Sequence, residues 1–199
     1  GTIVAVSRNP GGRLDDLARE LSSTGTTLVS VAADATDATA MASLFDRFGT
    51  EFPALDGIYL AAFAGGPVAL ADMTEDDVTA MFRPKLDALD VLHSLSLRTA
   101  VRHFVLFSSI SGLLGPRWLA HYTATSTFLD TFAGARRNLG LPATAVNWGL
   151  WKSLADLQSG ASQVTSDSGL EPMSDAVAIR ALGLVMGPDA PVRSVVVDA

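Results

Sequence analysis

Short apolar runs alternate along the chain with segments whose apolar positions recur every three or four residues. TIVAVS (2–7), TLVSVAA (27–33), LDGIYLAA (55–62), HFVLFSS (103–109), TAVNWG (144–149) and SVVV (194–197) read as six strands. Leu14, Leu17, Ala18 and Leu21 have helical spacing ahead of Gly25, and Met41, Leu44, Phe45 and Phe48 have it ahead of Gly49. Thr74 reads as the N-cap of a long helix over 75–97, with early acids that complement the helix dipole. Pro84 inside that stretch predicts a kink or the true helix start. A further helix is expected from about Tyr122 to Asn138, closed by Gly140, and a last one from the Ser174 cap to about Met186. The polar, low-complexity stretch at 153–169 opens an expected mobile loop or lid over 153–173. Unbroken apolar strands alternating with helices predict an α/β fold built on a parallel sheet covered on both faces.

Composition narrows the function without naming it. With 199 residues the chain suits a single domain, taken as 1–199. A net charge of −7 argues against a nucleic-acid surface and against a membrane-surface helix. No cysteine is present, so there is no disulfide, thiolate metal site or cysteine nucleophile, which suits the cytoplasm. No apolar stretch approaches the ~20 residues of a membrane span. His93, His103 and His121 show no ligand spacing, and no metal is expected.

Ligands of doubly wound sheets bind beyond the carboxyl ends of the strands. Those ends here carry Ser7 and Arg8, then Asp34, then AAFAGG (61–66), then Ser108 and Ser109, then NWGLW (147–151). Tyr122 opens the helix after the fourth strand, and Lys85 lies on the preceding long helix. A tyrosine is a useful proton donor to a carbonyl only if its pKa of about 10 is lowered. A nearby ammonium would lower it by favouring the phenolate. A serine hydroxyl can hold the substrate oxygen in line. The trio suits reduction of a ketone by hydride from a nicotinamide, with the proton from the tyrosine.

VSR (6–8), AADATD (32–37), RPKLDAL (83–89), FVLFSSISGLLG (104–115), YTATSTFLDTFAGARR (122–137) and GLPATAVNWGLW (140–151) together resemble the ketoreductase domain of modular polyketide synthases. That domain is a branch of the short-chain dehydrogenase/reductase superfamily. The flavour is closest to lipid-making synthases of the phthiocerol type. The resemblance implies a Rossmann-like, doubly wound parallel sheet and NADPH-dependent reduction of a β-ketoacyl thioester. The substrate would be carried on the phosphopantetheine of an acyl carrier protein, with other synthase domains as neighbours. It makes Tyr122 the proton donor, Ser109 the residue that orients the carbonyl, and Lys85 the lysine of this branch. Ser7 and Arg8 would meet the 2′-phosphate, and Asp34 with Ala35 would sit by the adenine. Ala61 and Ala62 would let the cofactor lie close to the backbone. Phe63 and Ser108 would border it, and Asn147, Gly149 and Leu150 would flank the nicotinamide.

Three departures from the family pattern bear on these expectations. The polar residue four after the tyrosine is Ser126 where the family has Asn; it shares a helix face with Tyr122 and is carried as a fourth catalytic residue. The residue after the alanine pair is Phe63 where the family has glycine, and its ring could crowd the nicotinamide ribose. The family's opening strand, Gly-rich loop and helix are missing: NPGGR (9–13) lacks the G-x-G-x-x-G spacing and follows the wrong strand. That first strand lies mid-sheet in the family, between its second and fourth strands. Its absence predicts a gap exposing unpaired backbone, a chain that is a piece of a longer polypeptide, and weak NADPH binding unless another segment supplies the unit. Product handedness stays open: Gly65, Gly66 and Pro67 replace one class's Leu-Asp-Asp, while Leu114 replaces the other's tryptophan. Alternative readings are a catalytically silent ketoreductase-like module and a stand-alone short-chain dehydrogenase. Arg136 and Arg137 read as a solvated helix end.

Overall fold

The structure is a computed structural model describing residues 1–157, 169–187 and 189–198. Its six strands are all parallel to their partners, but they form two separate sheets, β1-β2 and β3-β4-β5-β6. The strand expected to lie between the family's second and fourth strands has no counterpart among them. The chain divides into two compact units. The first comprises Gly1–Asp56 and Asp87–Val101, the second Gly57–Leu86 and Arg102–Ala199.

In the first unit, β1 (Thr2–Ser7) pairs with β2 (Thr27–Ala32) from Thr2 opposite Thr27 to Ser7 opposite Ala32. Helix α1 (Gly12–Ser22) connects them, and Gly25 turns the chain with a φ of 76°. Helix α2 (Ala38–Phe45) follows. Its cap is Asp37, whose carboxylate accepts from the Thr39 and Ala40 N–H groups at 2.9 and 3.0 Å. Asp34 accepts from the Thr36 N–H and hydroxyl and fixes the turn after β2.

The second unit holds β3 (Gly57–Leu60), β4 (His103–Ser109), β5 (Thr144–Trp148) and β6 (Arg193–Val196). The apolar runs of β4 and β5 are covered on both faces, so almost every residue in them is buried. Helix α3 (Glu75–Ser96) gives its first turns to this unit and the rest to the first. It starts at Glu75 and not at Pro84, because a capping box sets its start. The Thr74 N–H and hydroxyl both donate to Asp77 Oδ2, and the Asp77 N–H donates back to Thr74 Oγ1. A short α4 (Ser111–Leu114), unforeseen in the periodicity, ends at Gly115 with a φ of 63°. Helix α5 (Ala120–Asn138) begins two residues before Tyr122 and lies against β4 and β5.

Residues 158–168 of the expected lid lie outside the described residues. On one side of them Lys152–Leu157 forms α6, and on the other Met173 bridges to Trp151. Helix α7 (Asp175–Val185) follows its Ser174 cap. Val105, Val146, Trp148, Met173 and Ala178 form a core cluster, with Phe107 and Trp151 stacked against Trp148 at centroid distances of 5.5 and 5.0 Å. Among the described residues no helix is long and apolar enough to cross a membrane.

Arg136 corrects the expectation of a solvated helix end. It is 1% exposed, its guanidinium lies 3.8 Å from the Phe104 ring centroid, and its Nε donates to the Pro142 carbonyl. Burial pushes its pKa down, and the aromatic face and carbonyl offset part of that cost. Arg137 is exposed, as expected, and its Nε donates to the Ala143 carbonyl. Arg136→Ala should therefore lower the free energy of unfolding by about 2–3 kcal/mol, measured by urea denaturation. A change under about 0.5 kcal/mol would match a surface residue instead.

Candidate active site

Ser109 is the last residue of β4, where the strand leaves the sheet, and Tyr122 lies in the first turn of α5. The Ser109 hydroxyl stands beside the Tyr122 phenol and favours its ionised form. The Ser111 N–H donates to Ser109 Oγ at 3.1 Å, which leaves that hydroxyl a donor toward the phenol. Lys85, 2% exposed on α3, places Nζ 4.2 Å from the centre of the Tyr122 ring. The three expected catalytic groups thus meet in one unit of the chain.

Their ionisation differs from the simple expectation. Burial raises the Tyr122 pKa, and the Ser109 hydrogen bond recovers part of the rise. Lys85 is pushed down to about 8 by burial, against the pull of Asp130 toward the ammonium form. The phenol is therefore held protonated, and the lysine carries the titration near neutral pH. A proton donor that must keep its proton until the carbonyl oxygen gains charge is served by this order.

Phe63 lies edge-on to the Tyr122 ring, 5.6 Å between centroids and 78° between planes, and is otherwise exposed. The ring of Tyr122 is thus contacted by the Lys85 ammonium and by Phe63. The loop that carries Phe63 is held by Gly65, whose φ of 78° is a left-handed conformation. A Cβ there would also come 2.8 Å from Met81 Cε on α3. Ala61 is exposed and Ala62 half-buried at the end of β3, leaving low relief along that backbone.

Ser126 does not join the cluster through its hydroxyl. It is fully buried, and its Oγ donates to the Tyr122 main-chain carbonyl at 2.9 Å, one turn back on α5. Gly112 explains the close packing, since a Cβ there would lie 3.2 Å from Ser126 Cβ. Ser108 is likewise internal, donating to the Ser126 carbonyl at 3.1 Å. Asn147, placed by the sequence beside the nicotinamide, is fully buried beneath the site. Its Nδ2 group lies 2.8 Å from Asp130 Oδ2, 3.0 Å from the Ser109 carbonyl and 3.1 Å from Ser108 Oγ. Gly149 and Leu150 are half-buried beyond β5. His121 is buried, and its Nδ1 has no hydrogen-bond partner among the described residues.

Sequence reasoning missed Asp130. It stands two turns after Tyr122, and a lone acid inside an otherwise apolar helix stripe was the available signal. In the first unit, Ser7 ends β1 half-buried and Arg8 follows it exposed, with no ion pair among the described residues. Its charge is free to meet an anion. Asp34 and Ala35 are half-buried after β2. Among the described residues no cluster of acids and histidines is arranged to hold a metal.

Comparison with known proteins places the chain in a family. The KR domain family matches residues 1–153, and the chain belongs to that family of polyketide synthase ketoreductases. It is 70% identical over 198 residues to a subunit of the phenolphthiocerol/phthiocerol polyketide synthase of Mycobacterium bovis, covering all of this chain and 13% of the relative. It is 34% identical over 197 residues to the mycoketide-CoA synthase of Mycobacterium tuberculosis, covering 95% of this chain and 5% of that one. Among solved structures, an A-type ketoreductase from a modular polyketide synthase matches with a TM-score of 0.90 at 29% identity, over 98% of this chain and 42% of that chain. The ketoreductase from the first module of phoslactomycin biosynthesis matches with a TM-score of 0.90 at 30% identity, over 100% and 47%. The chain therefore spans a small part of the curated relatives it matches.

The depressed Lys85 pKa makes a stability prediction. Its folded value of about 8 lies below its ordinary 10.5, so between those pH values the unfolded chain binds more protons than the folded one. Stability from this group is lowest below pH 8 and rises toward pH 10.5, by about 3 kcal/mol in total. Denaturation of the wild type and of Lys85→Met across this window should differ by that rise. Parallel curves would show that Lys85 titrates normally.

Proposed function

We propose that this chain carries the catalytic groups of an NADPH-dependent ketoreductase, which reduces a β-ketoacyl thioester on an acyl carrier protein to the β-hydroxyacyl thioester. The observation that carries the reading is the Lys85 ammonium against the Tyr122 ring, with the Ser109 hydroxyl beside the same phenol. Family membership supports the reaction class. The cofactor reading draws on family membership and on Arg8, which is exposed after β1 and has no ion pair among the described residues. Arg8 and Ser7 would take the 2′-phosphate, Asp34 and Ala35 the adenine, and Ala61, Ala62 and Phe63 the ribose side. NADPH, when bound, supplies the hydride that reaches the ketone carbon.

The chain's own residues do the rest. Ser109 Oγ donates a hydrogen bond to the ketone oxygen and holds it against the phenol. Tyr122 gives its proton to that oxygen as negative charge develops there. The Lys85 ammonium stabilises the phenolate left behind and so makes the transfer easier. Reduction should accordingly fall as pH rises through about 8, where Lys85 loses its proton.

Neighbouring synthase domains are the expected partners, in line with the relatives' names, and the cytoplasm is the expected location. A second reading, a silent ketoreductase-like module, draws on Ser126, whose hydroxyl is committed to its own helix, and on Phe63 beside Tyr122. These 199 residues carry no G-x-G-x-x-G run, so NADPH binding by them alone should be weak. A submicromolar affinity of the isolated chain would contradict that.

NADPH oxidation by the full-length protein with a β-ketoacyl thioester separates the two readings. Tyr122→Phe should cut kcat by about 10²–10⁴-fold and Ser109→Ala by about 10²-fold. Absence of turnover in the wild type would favour the silent module.

A further inference from the structure

A buried carboxylate and a buried ammonium stand on two different helices around Tyr122. Asp130 is 8% exposed and Lys85 2%. Ionised groups this deep need partners, and removing one member of a buried pair leaves the other charge uncompensated. Asp130 Oδ2 has Asn147 Nδ2 at 2.8 Å and Arg193 at 4.0 Å, while its Oδ1 has no partner. Asn147 holds the Ser109 carbonyl and the Ser108 hydroxyl with the same amide group that it gives to Asp130. Ser108 in turn donates to the Ser126 carbonyl, which returns the chain of contacts to α5. Tyr122 and Asp130 fall on the same broad stripe of that helix.

We propose that Asp130 is a positioning residue of the reductase: it is the counter-charge of Lys85 and, through Asn147, the anchor that sets the Ser108–Ser109 strand end against Tyr122. The inference rests on the reductase reading. Asp130 touches neither the reacting carbonyl nor the cofactor in this arrangement; it acts through Lys85 and Asn147. Its charge is the one that draws Lys85 toward the ammonium form, against burial. Among the described residues, the titratable groups nearby include Tyr122 and the buried His121 on α5, Asp77 on α3 and Arg193 on β6. The strand ends of β4 and β5 contribute only the uncharged Ser108, Ser109 and Asn147. A neutral side chain of the same shape could keep the Asn147 hydrogen bond but could not hold the lysine proton.

The pH profile of kcat for the full-length protein tests this. Asp130→Asn keeps the size and an acceptor for Asn147 and removes the charge. The basic limb set by Lys85 should move down by about one pH unit, so activity at pH 8 falls several-fold more than at pH 6.5. Arg193 is half-exposed and competes for the same carboxylate, so Arg193→Gln keeps the core intact and should move the limb up. A limb that stays in place in Asp130→Asn, with kcat reduced evenly at every pH, overturns the proposal and leaves Asp130 a packing residue. If Asp130→Asn does not fold, an unmoved or lowered limb in Arg193→Gln overturns it equally. A wild type without turnover at any pH removes the reductase reading and this inference together. A wild type that turns over with unmoved limbs removes the inference alone.

Discussion

One amide group holds the second unit's polar interior together. Asn147 Nδ2 faces a strand carbonyl, a serine hydroxyl and a helix carboxylate, and so ties β4, β5 and α5 at one point. An unmade hydrogen bond at full burial costs more than a made one contributes. The three elements are therefore locked in one register. Ser109 sits at the strand end by virtue of the parallel pairing that sets Ser108 opposite Asn147. Tyr122 is where it is because α5 is pinned to that same strand end. The placement of Ser109 beside Tyr122 is an outcome of this interior and not of the loop between them.

The same interior sets the electrostatics. A lysine and a tyrosine brought this close in water would each titrate near their ordinary values. Buried, the tyrosine keeps its proton to a higher pH and the lysine gives its up at a lower one. Asp130 opposes the second effect. The Lys85 ammonium, the Tyr122 ring and Phe63 then form a stack whose members differ in function but share one packing site.

Much of this was readable from the chain. The strands at 2–7 and 103–109 fall where the unbroken apolar runs put them, and the Thr74 and Ser174 caps start their helices. Tyr122, Ser109 and Lys85 could be named because hydroxyl, phenol and ammonium fit one reaction and matched a family pattern. What escaped depends on side-chain direction in three dimensions. Arg136 looked solvated at a helix end, and only the Phe104 ring and the Pro142 carbonyl explain its burial. Asn147 was assigned to the nicotinamide by the family resemblance, and its burial against Asp130, Ser108 and the Ser109 carbonyl was not readable from the chain. Ser126 looked catalytic by its helical spacing, and its short side chain found the Tyr122 carbonyl first. Pro84 looked like a boundary, and a capping box ten residues earlier outweighed it.

In the proposed reaction, hydride reaches a ketone carbon while Tyr122 protonates the oxygen, and isotope transfer follows both events at once. Full-length protein can be incubated with a β-ketoacyl thioester and NADPH deuterated at either face of the nicotinamide C4, and the product examined by mass spectrometry. One deuterium is expected on the hydroxyl-bearing carbon from one of the two labels, and almost none with either label in Tyr122→Phe. An unlabelled or unreduced product from the wild type with both labels, or equal labelling in the variant, would contradict this chemistry.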